Sequence, residues 1–487
     1  MLRIGVGILF IFWLSIFLID ASLKRSSFSN RYKAFLERSG LSLSFGRVRW
    51  FSTLLNRQFL RFGSWKPNLQ QMWFFAGAVF GILAMFGSVI FLSYSLWFSV
   101  FSVHSVGDKI LIPVLPGINL PYSHLLYFFC TLLVCGILHE AGHMMAAVCE
   151  NVSVNGYGLF IIGIYPGAYV DLSTDQLFSI SPWKQLTIYC AGVWHNFITT
   201  CIASAILFVV PYMLVPFFAS GTGVHVQFVD PSSPVFGASG IAVDSVIQSI
   251  NGCPVRSSLD FSSCMQRLIS RPSVGYCLDS FWMERLAQPM VSAKSSRIHE
   301  CCANSSSHSD LCFSYTSTLN IIRSYRCLPA RVVTRNNACY NAFQCNSIYG
   351  SSPLCVFAMQ DNNSRFLRVS HSKSDHDLLY IGDPYLFTYS LTISDYTPLY
   401  QWASPLIPEI ITRFLKYIIS FSAALALLNS VPSIALDGQW ILTAFLGLPI
   451  WGFDRADKQT VRFILLTFGT LLLGANIIVA FINLIRF

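Results

Sequence analysis

The chain of 487 residues is 54% hydrophobic and 15% aromatic, with only 11% charged residues. Soluble domains carry about a quarter charged residues, so an ordinary soluble protein is excluded and at least one domain is a membrane bundle. The formal net charge of +9 does not indicate nucleic acid. Ten Lys/Arg residues fall between Lys24 and Lys66, a placement that the positive-inside rule explains, and no nucleic-acid motif accompanies them.

Arg3 precedes an apolar run from Ile4 to Ile19. Leu18-Ile19-Asp20 offers no small-residue cleavage site, so residues 1–22 are expected to stay as a membrane anchor. Residues 23–70 read as a basic cytosolic loop. A second span, Met72 to Trp97, is long enough to cross a bilayer. A Pro-containing connector, Ile110 to Tyr122, leads to a third span from Leu125 to Val148.

The third span holds the densest chemistry. His139, Glu140 and His143 spell H-E-x-x-H. On a helix the two imidazoles project from nearly one face and can share one zinc ion, while the glutamate can act as general base toward water. Ionisable groups in an apolar helix are costly unless paired or functional. Residues 151–184 are apolar but broken by Gly156, Gly158, Gly163 and Gly167. They read as a β-hairpin or re-entrant segment against the third span, because irregular backbone at that depth must pack on protein or line a wet cavity. The fourth span, Gln185 to Val215, contains Gly192-Val193-Trp194-His195-Asn196. Two readings of His195 and Asn196 stay open, interhelical hydrogen bonding and a catalytic role.

Residues 219–405 change character. Val224 to Val229 alternates like a strand, and Asp244 to Gly252 closes on a hairpin turn. The order resembles a PDZ domain, which binds an extended chain at a sheet edge; a generic small β domain is the other reading. A Cys-rich stretch, about 268–361, looks inserted, with Leu378 to Tyr396 supplying the closing strands. Ten of the fifteen cysteines lie between Cys253 and Cys355. That number in a polar region predicts disulfides and an oxidising compartment. Sequons at Asn304 and Asn362 share the region. The other five cysteines, in or beside apolar spans, read as small buried hydrophobes.

The last segment, 406–487, holds a fifth span, Ile407 to Leu428, and a sixth, Phe463 to Leu484. Between them, Pro432 and Gly438 predict a break around Asp437. An aspartate at membrane depth calls for a partner, and a zinc site with two histidines lacks a third ligand, so Asp437 is the candidate; a turn residue is the alternative. Placing residues 24–66 in the cytosol and letting each span cross once puts 219–405 in the lumen, where the charge and cysteine rules agree. The fold class is therefore a polytopic α-helical membrane protein of about six spans, with a re-entrant hairpin (71–218 forming the first part of the membrane core) and an inserted lumenal PDZ-like β-rich domain.

Together these motifs resemble the site-2 proteases, intramembrane zinc metalloproteases that cut membrane-anchored transcription factors. His139-Glu140-x-x-His143 is similar to that family's zinc motif, and Asn429-x-x-Pro432 with Leu436-Asp437-Gly438 to its second motif, whose aspartate is the third ligand. The resemblance implies one Zn2+ per chain on His139, His143 and Asp437, with Glu140 catalytic. Bacterial relatives carry G-P-x-x-N in the middle helix. Here Val193 stands for the proline, so substrate or oxyanion support by Asn196 rests on Gly192 and Asn196; Asn429 is the second candidate for that support. It further implies transcription-factor substrates in stress or sterol responses, a prior lumenal cut by another protease, the lipid bilayer as partner, no nucleic acid, and an endoplasmic reticulum or Golgi membrane. A catalytically idle client-binding protein using the PDZ-like groove is the main alternative. A transporter is disfavoured because no internal repeat of broken helices is evident.

Overall fold

The structure, a computed structural model, describes residues 2–54, 56–63, 65–101, 121–236, 240–270, 273–286, 301–302, 310–317, 320–345, 353–359, 364–374, 376–452 and 454–485. The connector as far as residue 120, Gly237, and the sequon asparagines Asn304 and Asn362 lie outside the described residues. Two compact units emerge, Met1–Val210 with Ile411–Phe487, and Pro211–Ile410.

The first unit opens with α1 (Leu2–Arg25), α2 (Ser29–Ser39), the hairpin β1 (Leu41–Ser44) and β2 (Arg47–Ser52), α3 (Asn56–Gly63) and α4 (Pro67–Phe101). α5 (Leu125–Cys149) carries the H-E-x-x-H and leads into β3 (Val154–Ile162) and β4 (Tyr165–Leu172). α6 (Thr174–Ser179) and α7 (Pro182–Leu214) follow. Residues 29–63, expected as loop, are thus folded. The reason is β2, which pairs antiparallel with β3 to make a sheet in the order β1-β2-β3-β4. The glycines of β3 serve this close pairing, since a Cβ at Gly158 would lie 2.1 Å from the Trp50 carbonyl oxygen. Trp13 of α1 donates from Nε1 to the Gly163 carbonyl at the β3–β4 turn, 3.1 Å away.

The second unit contains two sheets. β5 (Phe218–Val229), β6 (Val246–Ile250), β7 (Cys253–Pro254) and α8 (Ser258–Ser270) come first. The Cys-rich region then supplies β8 (Gly275–Asp279), α9 (Ser280–Leu286), β9 (Asp310–Ser317), β10 (Asn320–Pro329), α10 (Ala330–Val333), β11 (Ala338–Cys339) and β12 (Pro353–Ala358). β13 (Arg365–His371), β14 (Leu378–Gly382), α11 (Pro384–Tyr389) and β15 (Leu391–Pro398) complete the unit. One sheet runs β14-β13-β6-β5-β15 with β7 beside β6, and the insertion makes its own, β10-β9-β12-β8-β11. Val224, Val226, Ile247, Ile250, Phe261 and Phe387 fill the core of the first. Every cysteine of this region is paired: 253–264, 277–345, 301–312, 302–327 and 339–355. Such crosslinks stabilise a small sheet mainly by restricting its unfolded chain.

The chain returns to the first unit through α12 (Ile407–Ser430), α13 (Asp437–Leu446) and α14 (Arg455–Ile485). Among the described residues six helices, α1, α4, α5, α7, α12 and α14, are long and apolar enough to cross a membrane. The core joining α4, α5, α7 and α13 is rich in small residues, Ala78, Ala146, Ala147, Ala191 and Ala444. These let helix backbones approach where lipid offers no hydrophobic drive for association.

His225 of β5 and His371 of β13 are buried, and each Nδ1 lacks a hydrogen-bond partner among the described residues. Burial holds both imidazoles below their ordinary range, with Asp244 drawing His225 the other way and Asp377 doing so for His371. The unfolded chain therefore binds more protons, so the stability these neutral rings contribute is present above roughly pH 6.5 and is lost as pH falls. The thermal midpoint of the protein is expected to drop between about pH 7.5 and pH 5, and less steeply in a His225→Gln/His371→Gln double variant. Equal slopes for the two proteins would show that these rings do not carry the effect.

Candidate metal centre

α5 sets His139 and His143 one turn apart, and their Nε2 atoms stand 3.2 Å from each other. Asp437, the first residue of α13, brings Oδ2 to 2.8 Å from His139 Nε2 and 3.2 Å from His143 Nε2. The His139 and His143 side chains are only 8% and 9% exposed, whereas the Asp437 side chain keeps 24%. The cluster is thus sealed on the helix side and open at the aspartate.

The break between α12 and α13 puts Asp437 there. A Cβ at Gly438 would stand 1.9 Å from the Val431 carbonyl oxygen, so only glycine lets the chain fold back. The interrupted backbone is not left unpaired. Ser433 N–H donates to the Val431 carbonyl at 2.7 Å, and Ile434 N–H to Thr470 Oγ1 of α14 at 3.1 Å. Non-helical backbone inside an apolar bundle persists under that condition.

α7 supplies the rear wall. His143 Nδ1–H donates to the Ile188 carbonyl, 2.8 Å away, which leaves the Nε2 lone pair directed at the cluster. The Asn196 amide stands 3.0 Å from His139 Nδ1, and its other end is 3.4 Å from Ser422 Oγ of α12. The amide nitrogen faces Nδ1 and Ser422 Oγ donates to the amide oxygen; with Nε2 as a ligand, Nδ1 carries the ring proton, so the amide turns over, its oxygen accepting that proton and its nitrogen donating to Ser422. Gly192 makes this closeness possible, because a Cβ there would lie 2.4 Å from His143 Nε2 and 2.6 Å from His139 Cε1.

Two imidazoles with outward-held ring protons and one carboxylate therefore present three convergent donors, all within 4.8 Å of one another. Their separations approach the roughly 3.3 Å edge of a tetrahedron with bonds of about 2.0 Å. This donor set fits a metal ion. Glu140 stands beside it and outside it: Val170 N–H of β4 donates to Glu140 Oε2 at 3.0 Å.

The polar residues expected nearby divide. Asn196, expected to support substrate or an oxyanion, is fully buried and engaged with His139 Nδ1 and Ser422 Oγ. His195 accepts from Trp73 Nε1 at 3.3 Å, bonds to the Leu138 backbone and stacks on Phe74, which makes it an interhelical tie. Asn429 is half-buried near the end of α12 and takes no part in the bonds that assemble the cluster. Ser422 was not anticipated; Ser420 stands two residues before it in the same span, so the sequence does not single it out. Ile188 and Val170 act through their backbones and leave no signal in the sequence.

The profile of peptidase family M50 matches residues 127–475, a stretch that includes both histidines and Asp437. The chain belongs to peptidase family M50. It is also 24% identical over 463 residues to the membrane-bound transcription factor site-2 protease homolog of Arabidopsis thaliana, covering 86% of this chain and 88% of that one. The site-2 protease resemblance is borne out at the level of family, and with six apolar helices the M50 chain is an intramembrane metalloprotease.

Three variants test the metal centre directly. Asn196→Leu is expected to lower metal affinity about 10–100-fold in chelator competition, and Asn196→Asp to retain it because a carboxylate also accepts the Nδ1 proton. Gly192→Ala is expected to lose bound metal, as its methyl group collides with both rings; full metal content in purified Gly192→Ala would contradict the close packing described.

Proposed function

We propose that this M50 chain is a zinc-dependent endopeptidase of the site-2 type, which cuts a bond within or near the transmembrane helix of membrane-anchored transcription factors and releases their cytosolic part. The convergence of His139, His143 and Asp437 beside Glu140 carries the reading. Zinc held by those three residues supplies Lewis acidity, acidifying a water and polarising a carbonyl.

The chain's own groups do the rest. Val170 N–H fixes Glu140 through Oε2, so the carboxylate is oriented before substrate arrives. Glu140 takes a proton from the attacking water and returns it to the departing amine. With Nδ1 of each ring engaged by Asn196 or Ile188 and Nε2 given to the metal, neither His139 nor His143 would keep a lone pair to compete for that proton. A substrate helix hides its carbonyls in internal hydrogen bonds and must unwind locally to present one. The hairpin of β3 and β4, read as re-entrant, lies along α5 at that point.

Residues 219–405 are read as a lumenal PDZ-like module with its Cys-rich insertion. The succession β5, β6, β7, α8 and the tie from Ser258 N–H of α8 to Asp395 of β15 support this. Its bulk would admit substrates already shortened by a lumenal protease. Five disulfides support an oxidising side, and with it an endoplasmic reticulum or Golgi membrane.

Glu140→Gln is expected to keep its metal and release no fragment from a membrane-anchored reporter. Equal release by wild type and variant would remove the active-site assignment and favour client binding. Val170→Pro deletes only an N–H that points away from β3 toward Glu140. It is expected to lower turnover roughly ten-fold or more with metal content unchanged; unchanged turnover would show that Glu140 needs no such anchor.

A further inference from the structure

In the second unit, a cavity of about 110 Å³ lies between α8, the start of β13 and Tyr340 of the insertion. Arg267 and Arg365 both line it, and among the described residues no acidic side chain does. Neither guanidinium is ion-paired to an acid among those residues. Arg365 donates from Nη1 to the Ser364 carbonyl at 3.0 Å, and Arg267 from Nη2 to Ser263 Oγ at 3.4 Å. Arg365 Nε is buried with no hydrogen-bond partner among the described residues. A buried charged N–H with no acceptor is unfavourable, so the described lining of the cavity leaves a donor unmatched.

A nearby arginine group shows the contrast. Arg331, Arg335 and Arg368 also line one pocket, but Asp377 is among them and accepts from Arg368 Nε. There a described residue supplies the acid, and at Arg267 and Arg365 none of the described residues does.

We propose that this cavity binds a small oxyanion, a carboxylate or a phosphate group, between Arg267 and Arg365. Guanidinium groups match both anions in shape and donor geometry. The position has a structural consequence. Ser273 and Val274, where the chain leaves α8 for the insertion, and Arg365, where it re-enters the larger sheet, all line the cavity. A bound anion would join helix to strand at the root of the Cys-rich sheet. The site is independent of the metal centre and of the protease reading.

The test uses the full chain in detergent micelles, followed by calorimetric titration with inorganic phosphate, with acetate, and with one peptide bearing either a free or an amidated C-terminus. Saturable binding is expected, weakened at least ten-fold by Arg267→Gln and by Arg365→Gln, and unchanged by Arg335→Gln. Arg267 is exposed, so its variant keeps the test valid if Arg365→Gln fails to fold. Preference for phosphate identifies a free inorganic anion, and preference for the free over the amidated peptide identifies a chain end; either supports the site. Absence of saturable binding to every probe would mean that the cavity holds water only. Equal weakening by Arg335→Gln would reduce the effect to general positive charge. Either result overturns the proposal.

Discussion

Three groups that carry or attract charge, two imidazoles and a carboxylate, meet within hydrogen-bond distance inside an apolar helical bundle. Such a cluster persists only if the polar atoms on its sealed helix side have partners, because burial there keeps water from compensating. Much of the membrane unit follows from that demand. α7 must come close enough to give His143 a carbonyl and His139 an amide, which requires Gly192. α12 must end early and fold back on itself to deliver Asp437, which requires Gly438 and a hydroxyl from α14.

Glu140 is held by different means, and the separation is chemically useful. The ligands are fixed by helices, whereas the glutamate is fixed by a strand edge through Val170 N–H. The strand is in turn one edge of a four-stranded sheet that reaches back to β1 and β2. The segment between α1 and α4 is therefore part of the scaffold behind the base. Glu140 shares α5 with both histidines but takes its carboxylate contact from β4, so in the proposed reading a shift of β4 would reorient the base without moving a donor atom.

The second unit solves another problem. Two modest sheets with short strands bury limited apolar surface, and five crosslinks offset that weakness from the unfolded side. Its buried histidines and the anion cavity proposed above would make it responsive to pH and to anions. Both properties suit a module that meets a changing lumenal environment, in the reading proposed here.

Local periodicity and spacing determined much by themselves. Spans of apolar residues announce helices because each satisfies its own backbone, and H-E-x-x-H places two imidazoles on one face whatever surrounds them. Segregation of ten cysteines from five follows from composition alone. Residues 41–52 were not legible as strands, because their partner is β3, about a hundred residues further on, and their basic residues matched a loop equally well. Tertiary structure also decided which polar groups meet. Asp437 lies 298 positions from His139, and only the fold-back at Val431 and Gly438 joins them. Asn196 shows the limit most plainly: the sequence marks a costly amide in an apolar helix, but whether it faces substrate or a ligand ring depends on how α7 is rotated against α5. That rotation is set by Gly142 and Gly192, where contact distance, not composition, is decisive.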